Sequence, residues 1–305
     1  MVKGSIAASA PVLAFSGSGF SFYDDGGNSY WRVVTENAGK ICAGNVRNAM
    51  TYLLNATVEA LQVSFKLCKV PDSNIDVGLW IVNAFDSMSM GNYPFSSNYL
   101  TDDPTVFLPA NPIAAACNVP SINSPLDALI HAVSVFSNAS KQEKCFDIPR
   151  TSELDNDRFS GPLWTFQWCS EMLPEEFYFT MDGVKDMFFT YNKPFSIDTI
   201  VNRCKELYKG LRTDVEKVHR LYGTPAEFLG KLENVVFTNG LLDPWSSGSV
   251  LHSTQDMQER GIYVMNISTG AHHVDLMFSN PGDSDEIRSV RRKQMEIIKF
   301  WTNKI

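Results

Sequence analysis

The sequence lacks an excess of basic residues and any long hydrophobic run. Its 26 Lys and Arg face 34 Asp and Glu, which gives a net charge of −8. Proteins that bind nucleic acid or anionic membranes carry basic stripes or patches that neutralise phosphates, so we expect no nucleic-acid partner. The longest nearly apolar run, Ile6–Phe15, is only ten residues long. Because a helix needs about twenty apolar residues to cross a bilayer, no membrane span is predicted.

The composition is that of a globular protein with a buried core. Hydrophobic residues make up 44% of the chain and charged residues 20%, so disordered, coiled-coil and collagen-like chains are excluded. A length of 305 residues favours roughly two domains, at about 150 residues each.

The cysteines form no C-x-x-C pair, and no histidine lies at zinc-finger spacing, so no metal site is expected. The six cysteines are Cys42, Cys68, Cys117, Cys145, Cys169 and Cys204. They are either free thiols of a cytosolic protein or three disulfides of a secretory one. Three N-x-S/T sequons, at Asn55, Asn138 and Asn266, favour the oxidising secretory route and predict glycosylation there. The residues alone leave all 15 possible pairings open.

The middle of the chain, from about residue 40 to 225, has the apolar spacing of helices and contains every cysteine. Helical periodicity runs through Arg47–Leu67, and a further helix is predicted to end near Gly91. Ser124 followed by Pro125 is typical of a helix start, and Ser196 is predicted to cap another helix.

The last eighty residues have the pattern of a parallel α/β unit. The β-branched run Asn234–Thr238 predicts a buried strand, and Gly261–Ile267 predicts a second strand before a final helix. Functional groups of such units gather at the carboxyl ends of the strands. Asp243 and His272 are both predicted to lie there.

An Asp and a His in this order can form the base half of a nucleophilic triad. The carboxylate fixes the imidazole tautomer, and the α/β-hydrolase order is Ser, then Asp, then His. The alternatives are a turn or cap role for Asp243, and one buried and one solvated side chain for His272 and His273. A shared metal is disfavoured because neighbouring strand residues point to opposite faces.

Several segments resemble the lysosomal Pro-X carboxypeptidase family, which also includes dipeptidyl peptidase II and the thymus-specific serine protease. The specific motifs are Phe237–Ser246, with its D-P-W triplet, and Gly270–Leu276, with its H-H pair. Weaker similarity is found at Ala7–Pro11, Gln167–Glu171 and Asp182–Phe188. The resemblance covers nearly the whole chain.

The resemblance implies an α/β-hydrolase core with a large, mostly helical, disulfide-bonded insert. The predicted divisions are a partial core at 1–35, the helical insert at 36–225 and the C-terminal core at 226–305. In that family the nucleophile elbow, G-x-S-x-G, lies upstream of the Ala7–Pro11 segment. We therefore expect the core to be incomplete here, with its N-terminal strands absent.

The resemblance also implies residue roles. Asp243 and His272 correspond to the triad acid and base, and Trp245 is a candidate wall of a proline pocket. The implied disulfides join Cys42 to Cys117, Cys68 to Cys145, and Cys169 to Cys204.

No serine of the chain fits the nucleophile elbow. Ser18 has no glycine two positions before it, and Ser249 has none two positions after it. We therefore expect a chain that carries the base and its orienting acid but is inactive alone.

The predicted function is that of a serine-type exopeptidase, secreted or lysosomal, that hydrolyses peptide bonds next to proline. The substrate is a peptide with proline near the cleaved end, no cofactor is expected, and a homodimer is possible within the family. One alternative is a non-catalytic secreted relative that binds peptides. Another is a degenerate product that does not fold, because a reduced sheet exposes unpaired strand edges.

Overall fold

A computed structural model describes residues 2–14, 29–101, 103–118, 124–148, 166–172, 186–188 and 197–303. Ser18, Ser196 and the segment 182–185, to which the sequence assigns expectations, lie outside these ranges. No described helix is both long and apolar enough to span a membrane.

Helices dominate the first two thirds of the described chain. They are α1 (Ser29–Asn55), α2 (Val58–Phe65), α3 (Asn74–Met90), α4 (Pro112–Cys117), α5 (Pro125–Ser137), α6 (Ile197–Leu207), α7 (Lys217–Tyr222) and α8 (Pro225–Lys231). The C-terminal part adds α9 (Gln255–Glu259) and α10 (Asp285–Asn303). Most described residues between 40 and 225 are thus helical, as predicted.

Local signals explain where several helices begin and end. The Ser124 side chain accepts a hydrogen bond from the Asp127 amide at the start of α5, and α3 ends at Gly91, both as predicted. The predicted helix over Arg47–Leu67 is wrong in its bounds. α1 is kinked at Gly39, whose φ of 75° and ψ of 165° are not helical, so the helical segment that contains Arg47 begins earlier than predicted, just after Gly39. A break follows Asn55, where the Thr57 side chain caps α2. The competing signal is a single threonine N-cap inside a continuous apolar pattern.

In the part of the chain that the structure describes, three parallel strands form a sheet in the order β1 (Ser5–Ala8), β2 (Val235–Gly240) and β3 (Tyr263–Ile267). Ala7 is aligned with Phe237, and Phe237 with Val264. All six residues of β2 are buried, as expected for a central parallel strand. The β2–α9–β3–α10 order confirms the predicted α/β unit. Between β2 and β3 the α-helix is the short α9.

Within the described ranges the core has a large helical cluster, two smaller clusters that include strand residues, and a small cluster around Cys169 and Cys204. The largest cluster packs α1, α3 and α5 together and includes Leu53, Phe85 and Leu129, each fully buried. Trp245, from the turn after β2, packs against this cluster. A second cluster, with Tyr93 and Ala271, underlies the loop after β3. The Asp243 and His272 loops therefore lie where helices meet sheet.

Disulfides cross-link the helical region. They join Cys42 to Cys117, Cys68 to Cys145, and Cys169 to Cys204. These pairs coincide with those that the family resemblance implies, and they leave no free cysteine. The predicted division after residue 35 falls within α1, and the division into three parts stays a prediction.

Candidate active site

Asp243 lies in a tight turn directly after β2. It precedes the 3-10 turn Pro244–Gly248, and its Oδ1 accepts a hydrogen bond from the Trp245 amide at 3.1 Å. Its side chain is almost fully buried. The turn fits closely against the loop after β3, because a Cβ on Gly240 would lie 2.4 Å from the Ala271 carbonyl oxygen. Glycine at this position lets the two loops approach each other.

Asp243 and His272 form a direct pair. The distance from Asp243 Oδ2 to His272 Nδ1 is 2.7 Å, and 16% of the His272 side chain remains exposed. Burial disfavours the imidazolium, but the charge of Asp243, its hydrogen bond and the charge of Asp86 outweigh burial and raise the pKa of His272. Because Nδ1 faces the carboxylate, a neutral His272 presents the lone pair of Nε2. This arrangement suits a general base with an orienting acid.

The end of α3 supports the His272 loop. The His272 amide donates to the Met90 carbonyl at 3.1 Å, and the Tyr93 hydroxyl donates to the His272 carbonyl at 2.6 Å. Asn37 of α1 donates to the Ser89 hydroxyl at 2.8 Å and to the Leu242 carbonyl at 2.7 Å. Both loops of the pair are thus fixed to the helical region by hydrogen bonds.

The two adjacent histidines differ in their surroundings. The rings of His272 and His273 lie 3.8 Å apart between centroids, but the contact with Asp243 belongs to His272. His273 has a left-handed backbone, with φ of 53°, and its amide donates to the Ser9 hydroxyl at 3.0 Å. Burial and then the charge of His272 lower the pKa of His273. The geometry therefore singles out His272 as the candidate base.

Trp245 contacts Tyr30, which in turn bonds to Asp86, and the sequence indicated neither of these two residues. Its ring meets the Tyr30 ring edge-on at 5.2 Å, and the Tyr30 hydroxyl donates to Asp86 Oδ1 at 2.7 Å. Burial raises the pKa of Asp86 to about 7, although the Tyr30 hydrogen bond opposes this. The sequence signal that could have indicated Asp86 was its position as the one carboxyl within the apolar stretch Trp80–Met90.

The described hydrogen bonds of Ser9 and Ser249 go to groups other than the His272 ring. Ser249 is buried and donates to the Trp245 carbonyl at 3.1 Å. The Ser9 hydroxyl accepts the His273 amide. The Ser249 hydroxyl donates, and the Ser9 hydroxyl accepts, a hydrogen bond with a backbone group.

The three sequon asparagines differ in exposure. Asn55 is exposed at the end of α1, and Asn138 lies half-buried just after α5. Asn266 is half-buried in β3, where its amide nitrogen donates to the Leu251 carbonyl and its oxygen accepts from Asn239. A glycan at Asn266 would have to break these bonds.

No group of three or more His, Cys, Asp or Glu side chains in the described ranges is arranged to hold a metal ion. The site as described consists of a carboxylate, an imidazole and an aromatic wall.

An Asp–His pair at the carboxyl ends of adjacent parallel strands is the arrangement of orienting acid and base found in α/β hydrolases. Comparison with known proteins agrees with this class. The family model of serine carboxypeptidase S28 matches residues 1–294, and the chain belongs to this family of serine peptidases. The family is α/β-hydrolase-like, in keeping with the parallel sheet and the helical region described above.

Curated relatives match the chain along almost its whole length. It is 27% identical to mouse lysosomal Pro-X carboxypeptidase over 99% of the chain and 59% of the relative. The orangutan lysosomal Pro-X carboxypeptidase is 29% identical over 99% of the chain and 58% of the relative. A Caenorhabditis elegans relative, prolyl carboxy peptidase like protein 5, is 28% identical over 99% of the chain and 61% of the relative. The chain thus spans about three fifths of the length of these relatives.

Proposed function

We propose that the chain carries the base and the orienting acid of a serine-type exopeptidase that cleaves peptide bonds next to proline. The observation that carries the proposal is the 2.7 Å contact between the Asp243 carboxylate and His272 Nδ1, which leaves Nε2 available. In the proposed reaction Nε2 accepts the proton of a serine hydroxyl as the serine attacks the peptide carbonyl. It then returns the proton to the leaving amine. Asp243 orients the ring and stabilises the imidazolium.

The proposed nucleophile is a serine that this sequence does not contain. The G-x-S-x-G pattern of such nucleophiles is absent from the 305 residues, and the hydroxyls of Ser9 and Ser249 have other partners. On this proposal the chain alone is inactive. A pocket without a nucleophile could still bind peptides, which is the non-catalytic alternative.

Trp245 is the proposed contact for the proline ring. Its indole packs against the helical core and meets Tyr30 edge-on, so its position is fixed by packing on one side. Proline has no backbone N–H to recognise, and an apolar wall of fixed shape suits its ring. The substrate is therefore proposed to be a peptide with proline near the cleaved end, as the relatives' names suggest.

The proposed location is the lysosome or the secretory route, because four relatives are named lysosomal Pro-X carboxypeptidase and all six cysteines are disulfide-bonded. Asn55 is the preferred glycan acceptor, since its side chain is exposed. A homodimer stays a prediction.

Two measurements on the same chain test the proposal. First, a serine-reactive fluorophosphonate probe should leave the purified chain unlabelled, and specific labelling of one serine would overturn the claim that the nucleophile is absent. Second, tryptophan fluorescence should respond to a proline-containing peptide and not to a matched peptide with alanine in place of proline. Trp245→Phe should abolish the response, with Trp80→Phe, away from the pair, as the control. An equal response to both peptides would contradict the assignment of Trp245.

A further inference from the structure

One face of α3 is directed at the Asp243–His272 pair. Ser89 and Met90 both contact the loops of the pair, through the Asn37 and Leu242 hydrogen bonds and through the Met90 carbonyl. Asp86 lies three residues before Ser89 and four before Met90, and residues at these spacings lie on the same face of a helix. Asp86 therefore belongs to the same face as the groups that support the pair.

Asp86 is fixed in place from the side of α1. Its Oδ1 accepts the Tyr30 hydroxyl at 2.7 Å, and Tyr30 in turn meets the Trp245 ring. Tyr30 is 1% exposed, so the hydroxyl has little freedom to turn elsewhere. Within the described residues, this is the one hydrogen bond to Asp86. The second carboxyl oxygen thus has no described donor.

We propose that Asp86 is a positioning residue of the site, a second carboxyl whose charge stabilises the imidazolium form of His272. Among the described residues, the charged and titratable groups that face Asp86 are Tyr30 from α1, Asp243 from the turn after β2, and His272 from the loop after β3. Asp86 interacts electrostatically with both members of the pair, and its charge opposes that of Asp243 and favours that of His272. The inference rests on the proposed role of His272 as general base.

The two carboxyls act differently. Asp243 contacts Nδ1 directly and sets the orientation of the ring. Asp86 makes no hydrogen bond to the ring and acts through charge alone. Burial raises the pKa of Asp86 to about 7, so the carboxyl gains its charge near neutral pH. Above that pH both Asp243 and Asp86 carry a negative charge that favours the imidazolium. Below that pH Asp86 is protonated and Asp243 alone does so. The titrations of Asp86 and His272 are therefore coupled.

The test is an NMR titration of the histidine side chains in the intact chain, which requires no turnover. His272 is assigned with His272→Gln, and the exposed His131 serves as an internal reference. Asp86→Asn should lower the midpoint of the His272 titration by roughly half a pH unit or more and reduce it to a single step. Glu233→Gln, which removes an exposed carboxylate, should leave the titration unchanged. An unchanged His272 midpoint in Asp86→Asn would overturn the proposal.

Tyr30→Phe gives a second, independent measurement that keeps the carboxyl. Because the Tyr30 hydrogen bond lowers the pKa of Asp86, its loss should move the second step of the His272 titration to higher pH. A second step that does not move would overturn the proposal even if Asp86→Asn failed to fold. Asp243→Asn separates the proposed catalytic pair from the proposed role of Asp86. If it leaves His272 unchanged, the proposed catalytic pair is refuted, whereas the proposed role of Asp86 is decided only by the Asp86 and Tyr30 variants.

Discussion

Replacing Asp86 by Asn should stabilise the fold, and the gain should grow as the pH rises from about 4 to about 7. Burial raises the pKa of Asp86 to about 7 in the folded protein, whereas an aspartate in an unfolded chain titrates near about 3.9. Between these values the folded protein keeps a proton that the unfolded chain releases. Because the unfolded state binds fewer protons, raising the pH over this window favours unfolding. Asparagine has no such proton, and its side-chain oxygen can still accept the Tyr30 hydroxyl.

The size of the effect follows from the difference in pKa. About three pH units at about 1.4 kcal/mol each give an upper value of about 4 kcal/mol. The Asp86 side chain keeps some accessible surface, which reduces the burial cost. We compare the free energy of unfolding of Asp86→Asn with that of the parent. We expect this difference to be larger above neutral pH than near pH 4, by about 2 to 4 kcal/mol.

Urea unfolding, followed by tryptophan fluorescence with the disulfides intact, measures this difference across the pH range. Trp245 lies next to Tyr30, so its emission reports on the region of the substitution. Glu233→Gln is the control, since its carboxylate is exposed, and its difference from the parent should be flat with pH. A flat difference for Asp86→Asn would refute the raised pKa. A difference that falls with pH would show that the fold stabilises Asp86 as a carboxylate.

Two further substitutions test the fold around the site. Gly240→Ala should cost about 1 to 3 kcal/mol and weaken the Asp–His contact, because its Cβ would lie 2.4 Å from the Ala271 carbonyl oxygen. Urea unfolding checks the cost, and Gly230→Ala, with no atom within 4 Å of the new Cβ, is the harmless control. Replacing Cys68 and Cys145 by Ala should cost about 4 kcal/mol, because their disulfide closes a loop with a separation of 77 residues. A loss below about 1 kcal/mol would contradict that loop-closure argument.

The parts of the site that follow β2 and β3 were predictable from sequence, because they depend on local pattern. Buried β-branched runs identify parallel strands, and residues just after two such strands meet at one edge of the sheet. This placed Asp243 and His272 near each other, and the structure brings them to 2.7 Å. The resemblance to a known family added which of the two adjacent histidines to choose. The contact of Asp243 with His272 now supports that choice from geometry.

Residues that act from another element could not be found in this way. The Tyr30–Asp86 hydrogen bond joins residues that are 56 positions apart in the sequence. The hydrogen bond from Asn37 to the Leu242 carbonyl joins residues that are 205 positions apart. Such contacts depend on how α1 and α3 pack against the turn after β2, which no local pattern encodes. A lone Asp within an apolar helical stretch is a signal of burial, but it gives no partner.

Asp243 and Asp86 differ in the number of hydrogen-bond partners around their carboxyl oxygens. Asp243 accepts one hydrogen bond from the Trp245 amide and faces the Nδ1 of His272, so both of its oxygens have partners. Asp86 has one described donor, the Tyr30 hydroxyl. Hydrogen bonds to the charged form favour ionisation and burial opposes it, so burial prevails at Asp86. If the proposal holds, the pH at which His272 loses its proton depends on a residue of α3 that contacts neither imidazole nitrogen.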